Sequence, residues 1–205
     1  IDANYRTIPA REIRGLGGHS MGGYGATRIG MKRPDVFSAL YIMSPCCMSA
    51  RGAPPEEFLT RLEGVQTREE AAALGFIERA TLAVAAAWSP NPNKPPLYLD
   101  LPTADEASRD AVLAQWAANA PLAMVEQYIT SLSQYEGIAI DVGDQDGLRV
   151  DAAELHRILT DSKVENSFEI YPGDHVSGVA DRFQNFVIPF FGRHLSTVQP
   201  PRRSR

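Results

Sequence analysis

Residues 13–25 read IRGLGGHSMGGYG, and this short stretch decides how the rest of the 205-residue chain is read. Residues 13–18 are a short run that ends in glycines, which predicts a strand. Residues 21–32 (MGGYGATRIGMK) predict a helix, which Pro34 stops because proline has no N–H to donate. Between the two sits Gly18-His19-Ser20-Met21-Gly22, a Gly-x-Ser-x-Gly motif on a strand-to-helix turn, the setting of a nucleophile elbow. The reason is steric. A serine held on so tight a turn needs glycines two residues to either side, so that the backbones can approach. Ser20 Oγ then stands at a helix N-terminus, where the helix dipole favours negative charge. The Met21 backbone N–H is the candidate donor to the oxyanion that forms when a carbonyl is attacked.

A serine hydroxyl is a poor nucleophile until a base takes its proton, so a histidine and an orienting acid must be found. The chain has 4 histidines. His19 lies in the elbow and is expected to face away from Ser20. His156 falls inside an amphipathic helix and His194 near the end of the last one, and both read as structural. His175 is different, because Pro172-Gly173-Asp174-His175 is a loop after a strand and before the closing helix. That makes it the candidate general base. The loop Gly143-Asp144-Gln145-Asp146-Gly147 follows another strand and offers Asp144 or Asp146 as the acid. Serine, then aspartate, then histidine is the chain order of an α/β-hydrolase triad.

Strand and helix alternate on both sides of this logic. Residues 37–43 (FSALYIM), 138–142 and 167–171 predict strands, and residues 148–159 an amphipathic helix. A closing helix is expected over 179–195, interrupted by Pro189. The alternation predicts a mostly parallel sheet with helices on its faces. Residues 54–135 differ in kind, with helical periodicity over 56–62, 68–88 and 106–132. The proline-rich SPNPNKPP at 89–96 breaks that run, and LYLDLP follows as a short extended piece. The chain thus reads as a single domain over 1–205, with 54–135 a cap-like helical insertion over the strand ends and 196–205 a flexible tail. Gly22, Gly23 and Gly25 are expected to serve close helix packing.

Composition narrows the function. With 44% hydrophobic and 22% charged residues the chain is globular in character. A net charge of −5 argues against a nucleic-acid-binding surface, and the arginines at 202, 203 and 205 read as a solvated end. The most apolar stretch, residues 80–88, is half of what a bilayer needs, so no membrane partner is expected. A soluble protein is expected, the cytoplasm being favoured over secretion. No P-loop, dinucleotide fingerprint or metal-ligand spacing occurs, so neither cofactor nor metal is called for. Cys46 and Cys47 are adjacent, a spacing that rarely makes a relaxed disulfide, and they read as packing residues.

Taken together, Tyr5-Arg6-Thr7, GLGGHSMGGYGA, Pro34-Asp35-Val36-Phe37, PNPNKPPLYLDLP, DVGDQDGLRVDAAEL and YPGDHVSGVADRFQNFVIPFF resemble the putative-esterase family. That family includes esterase D (S-formylglutathione hydrolase), feruloyl esterases and mycolyltransferases. The resemblance implies an α/β-hydrolase fold with a Ser-His-Asp or Ser-His-Glu triad. It also implies an acid in a Gly-x-x-Asp turn, which matches Gly143 and Asp146 and favours Asp146 over Asp144. The chain departs from the family in one respect: its elbow lies twenty residues from the start, where the family places it near the middle. This predicts that N-terminal strands and a second oxyanion donor are absent, and that residues 1–8 are the end of a helix. The strand at 13–18 would then be a free edge that pairs with a missing N-terminal half or a second copy. The expected activity is hydrolysis of a small-molecule ester, with short acyl or aryl groups, through an acyl-enzyme. The alternatives are an acyltransferase with the same triad and a truncated, non-catalytic module.

Overall fold

Parallel strands cannot be joined by a hairpin, so a chain that alternates strand and helix must cross over between neighbours. The computed structural model, which describes residues 2–49, 54–103 and 105–196, shows that pattern. Four strands, β1 (Gly15–His19), β2 (Ala39–Met43), β3 (Gly137–Gly143) and β4 (Ser167–Tyr171), lie in the order β1-β2-β3-β4. Every pairing is parallel, with Gly15 opposite Ala39, Ala39 opposite Gly137, and Ala139 opposite Ser167. Helix α1 (Met21–Lys32) connects β1 to β2, and the helix Arg149–Asp161 connects β3 to β4. The sheet is the mostly parallel α/β-hydrolase type that the sequence predicts, with β1 at one edge.

The chain divides into two compact units, one comprising Ile1–Met48 with Met124–Arg205, the other Ser49–Ala123. In the first unit β2 is buried along its whole length, as a central parallel strand covered on both faces must be. Ala39, Tyr41, Met43 and Ala139 meet Val187 and Phe190 of the closing helix in one apolar cluster. In the second unit the helices Glu56–Glu63, Arg68–Ala73, Phe76–Trp88 and Glu106–Asn119 bury Leu59, Leu62, Leu82, Trp88, Val112 and Trp116. The Trp116 indole donates to Ser89 Oγ at 2.8 Å, so its polar edge is satisfied inside that core.

Several local expectations are corrected. Residues 2–10 form turns and bends rather than the end of a helix, because Pro9 supplies no N–H and restrains Ile8 before it. A 3-10 turn at Arg11–Ile13 delays the first strand to Gly15. The helix expected over 68–88 is split at Gly75, and that over 106–132 at Pro121, which cannot donate. The extended piece after the prolines makes only an isolated antiparallel bridge, Pro90 to Leu99. Pro189 does not interrupt the closing helix, which is continuous over 179–194. A π turn at Phe183–Val187 shifts the hydrogen-bond register, so Pro189 falls in the first turn of the next segment, where a missing N–H costs little. Of the tail at 196–205, residues 197–205, with their arginines at 202, 203 and 205, lie outside the described residues. Among the described residues no helix is long and apolar enough to cross a membrane.

The closing helix is fastened to the sheet electrostatically. Arg182 is only 4% exposed and donates through Nε to Asp141 Oδ2 at 2.9 Å, on β3. Its two terminal nitrogens grip Glu169 on β4 at 2.9 and 2.7 Å. Tyr41 on β2 donates to the same Asp141 oxygen at 2.9 Å. Three strands and one helix therefore share one buried cation. Removing it leaves the Asp141 carboxylate, 1% exposed, without a countercharge. Arg182→Met is expected to destabilise the protein by about 3–5 kcal/mol in urea unfolding, and adding Asp141→Asn to recover part of the loss. A loss below about 1 kcal/mol would contradict this account.

Candidate active site

One residue joins β1 to α1, and it is Ser20. Its backbone sits at φ 58° and ψ −116°, outside the regions open to ordinary L-residues. Such a conformation costs on the order of 1–3 kcal/mol and persists only where its surroundings hold it. Here they do so from three directions. The Ser20 N–H donates to Met43 O at 3.0 Å, and the Ser20 carbonyl accepts from Tyr24 N at 3.0 Å and Cys46 N at 3.1 Å. A side chain on Gly18 would overlap the carbonyl of Gly22, so glycine is required there. Gly22 corrects the symmetrical expectation: a Cβ on it would meet nothing within 4 Å, and the same is true of Gly25. Gly23 does serve close packing, since a Cβ there would press on Met43 O and Pro45 Cα, both at 2.9 Å.

The other two candidates come from the loops after β3 and β4, and backbone contacts hold these loops together. Gln145 N donates to Gly173 O at 2.9 Å, and Gly173 N donates to Asp144 Oδ1 at 2.9 Å. Gly143 packs so closely on the Gly173 carbonyl that any side chain would collide with it. Asp174 folds its own turn by accepting from the Ser177 hydroxyl at 2.6 Å, Val176 N at 2.9 Å and Ser177 N at 2.8 Å. The Ser177 hydroxyl, with these two amides, holds the Asp174 carboxyl down to about 2.

These loops bring Ser20, His175 and Asp146 into one hydrogen-bonded line. His175 Nδ1 lies 2.8 Å from Asp146 Oδ2, and His175 Nε2 lies 2.9 Å from Ser20 Oγ. Because a carboxylate can only accept, Nδ1 carries the proton and Nε2 is left to accept from the serine hydroxyl. The Asp146 side chain is 2% exposed and the His175 side chain 38%. Burial pushes the Asp146 carboxyl up, but the hydrogen bonds from His175 and from Leu148 N, at 2.9 Å, outweigh it and hold it below the ordinary value. Asp144 is spent on the Gly173 amide instead. Met21 is the first residue of α1, so its N–H has no acceptor inside the helix, and its side chain is 67% exposed.

His156 donates from Nδ1 to Asn166 Oδ1 at 2.7 Å, and His194 from Nδ1 to Glu136 O at 2.8 Å, so both are structural. His19 was missed as a participant. Its Nε2 donates to the backbone carbonyl of His175 at 2.7 Å, and the two rings lie 4.8 Å apart. It therefore braces the His175 loop from β1, a contact between residues far apart in sequence that no local pattern signals. Cys46 and Cys47 are half-buried beside the elbow, with their sulfurs 2.8 Å apart, rather than packed into the core. Among the described residues no group of three or more His, Cys, Asp or Glu side chains is placed to hold a metal ion.

A family model described as Putative esterase matches residues 1–188. Among solved structures the chain is similar to a ferulic acid esterase at 22% identity and TM-score 0.58, covering 95% of this chain and 56% of that one. It is also similar to the S-formylglutathione hydrolase of Staphylococcus aureus at 17% identity and TM-score 0.57, covering 93% and 58%. The S-formylglutathione hydrolase of Agrobacterium tumefaciens matches at 15% identity and TM-score 0.51, covering 95% and 53%. At such identities the likeness is one of fold, and the chain spans little more than half the length of these proteins. A search of curated proteins finds no match.

Two expectations follow from this geometry. Gly18→Ala should lower stability by about 1–3 kcal/mol in thermal unfolding, whereas Gly22→Ala should change it by no more than about 1 kcal/mol and in the favourable direction. The depressed Asp146 carboxyl contributes stability that is complete above about pH 4 and is lost as pH falls through its lower folded value. Wild-type protein should therefore lose stability faster than Asp146→Asn on acidification below about pH 4, as read by melting temperature against pH. Parallel curves for the two proteins would refute the assignment.

Proposed function

The chain belongs to the putative-esterase family, and from that premise we propose that it is a serine hydrolase of carboxylic esters working through an acyl-enzyme on Ser20. The observation that carries this reading is the unbroken line from Asp146 through His175 to Ser20, at 2.8 and 2.9 Å. In it, Ser20 Oγ attacks the ester carbonyl as His175 Nε2 takes its proton. The positive charge that appears on the imidazole is met by Asp146, which stays ionised and keeps Nδ1 protonated throughout. His175 then returns the proton to the departing alcohol oxygen. In the second half His175 takes a proton from water, which attacks the acyl group and releases the acid. The Met21 amide faces the developing oxyanion, where a fixed backbone donor is worth about 3 kcal/mol or more.

The strained elbow supports the same reading. A Ser20 fixed before substrate arrives loses little freedom in the transition state, which is how positioning lowers a barrier. We assign short acyl and aryl esters as the substrate class. The acyl groups in the names of the similar structures, formyl and ferulic, span that range.

The test is hydrolysis of p-nitrophenyl acetate and butyrate by the chain and its single variants. Ser20→Ala and His175→Ala are each expected to lose on the order of 10⁴-fold or more in kcat, and Asp146→Asn about 10³- to 10⁴-fold. Asp144→Asn keeps its Oδ1 acceptor and should stay within about tenfold of wild type. A Ser20→Ala protein as active as wild type would overturn the proposal.

A further inference from the structure

The loop that follows β2, Ser44-Pro45-Cys46-Cys47-Met48, holds two groups that the triad does not use. Its backbone is unusual, with Ser44 at φ 39° and Cys47 at φ 60°, the left-handed region that non-glycine residues rarely enter. That geometry turns the two side chains to the same side, and the free Cys46 and Cys47 thiols lie in direct contact. Adjacent residues in ordinary extended or helical backbone point their side chains apart, so the pairing is imposed by the loop. The loop also touches the nucleophile, since Cys46 N is one of the two donors on the Ser20 carbonyl, at 3.1 Å.

We propose that Cys46 and Cys47 form a redox-sensitive dithiol that exchanges with low-molecular-weight disulfides, closing into a Cys46–Cys47 bond that arrests Ser20 and reopening in the presence of thiols. In the first step the Cys46 thiolate attacks one sulfur of the external disulfide. The external S–S bond breaks, a mixed disulfide forms on Cys46, and one thiolate leaves. Cys47, giving up its proton, then attacks Cys46 Sγ and displaces the second thiolate. The pair loses two electrons and two protons, and the external disulfide gains them as two thiols.

The order of events follows from the two environments. Hydrogen bonding from the Cys47 thiol lowers the Cys46 thiol from its ordinary value against the opposing effect of burial. Cys47 is pushed up by the same hydrogen bond and by burial. Cys46 is therefore the attacking sulfur and Cys47 the resolving one. Consecutive Cα atoms lie about 3.8 Å apart across a trans peptide, short of the roughly 4.4–6.8 Å that a relaxed disulfide spans. The closed form is thus strained and readily reduced, the character of a regulatory rather than a structural bond. Drawing the sulfurs to the roughly 2.05 Å of a disulfide strains the turn that carries Cys46 N, the donor on the Ser20 carbonyl, and so loosens the elbow.

The effect on hydrolysis rests on Ser20 being the nucleophile, whereas the thiol chemistry does not, and two readouts keep them apart. The full chain is incubated with oxidised glutathione, then followed by intact mass and by p-nitrophenyl butyrate hydrolysis. The wild type should lose two hydrogens without accumulating an adduct, and its hydrolysis should fall by about tenfold or more, with recovery in dithiothreitol. Cys47→Ser should stop at one glutathione on Cys46, and Cys46→Ser should react about threefold or more slowly. Thiols that stay unmodified in excess disulfide, two glutathiones on one chain, or equal reactivity of the two variants would overturn the dithiol. Closure with unchanged hydrolysis would overturn the control of Ser20. A reduced chain that hydrolyses no ester would count against the proposed function, and the mass readings would still decide the dithiol.

Discussion

The backbone of Ser20 is bent into a conformation that costs on the order of 1–3 kcal/mol, and much of the first unit is arranged to hold it there. The strain cannot relax toward a longer strand, because β1 ends in register with Met43, whose carbonyl takes the Ser20 N–H. Nor can it relax toward a longer helix, because Tyr24 N already holds the Ser20 carbonyl and begins α1. Gly18 allows the crossing by having no side chain to strike Gly22. The loop after β2 then closes over the turn through Cys46 N. The position of Ser20 is in this sense a property of β1, β2 and α1 together.

The histidine and the acid are placed by a different device. Their loops leave neighbouring parallel strands at the same end, and parallel pairing alone would set them only a strand spacing apart. Contact between Gly143 and Gly173 brings them closer, and the two loops exchange backbone hydrogen bonds around Asp144. His19 adds a third tie by holding the carbonyl of His175 from β1. His175 is thus fixed through its backbone on one side and its Nδ1 on the other, which leaves its ring edge at Nε2 directed to Ser20.

Much of the fold was legible because its signals are local. Glycine spacing around Ser20, apolar runs bounded by proline, and Gly-Asp turns after strands each depend on a few consecutive residues. The local turn left Asp144 and Asp146 both open, and it was the family resemblance that favoured Asp146, the one that pairs with His175. What escaped reading depends on which strands are neighbours. Arg182 meets Asp141 across 41 residues and Tyr41 across 141, and His19 meets His175 across 156. No window of sequence contains both partners. The helical middle was misdivided for a related reason: alanine-rich periodicity continues past Gly75, and only the backbone shows where the helix stops. The cysteine pair was read as packing because the left-handed turn at Cys47 carries no glycine to announce it.

Strand β3 and the loop it enters carry two buried aspartates, and the contrast between them shows how partner choice separates structure from chemistry. Asp141 is matched with Arg182, whose guanidinium keeps its proton at any accessible pH, so the pair can hold position but cannot pass charge. Asp146 is matched with His175, whose imidazole keeps a second ring nitrogen to present to Ser20. With arginine in place of His175 the acid would be as well satisfied, yet nothing would be left to accept a proton from Ser20. With histidine in place of Arg182 the anchor of the closing helix would weaken whenever the ring lost its charge. The exposures agree with the division: Arg182 and Asp141 are sealed, whereas the His175 side chain is 38% exposed beside Ser20. A sealed charge pair thus holds the frame, and a half-open one presents His175 to Ser20.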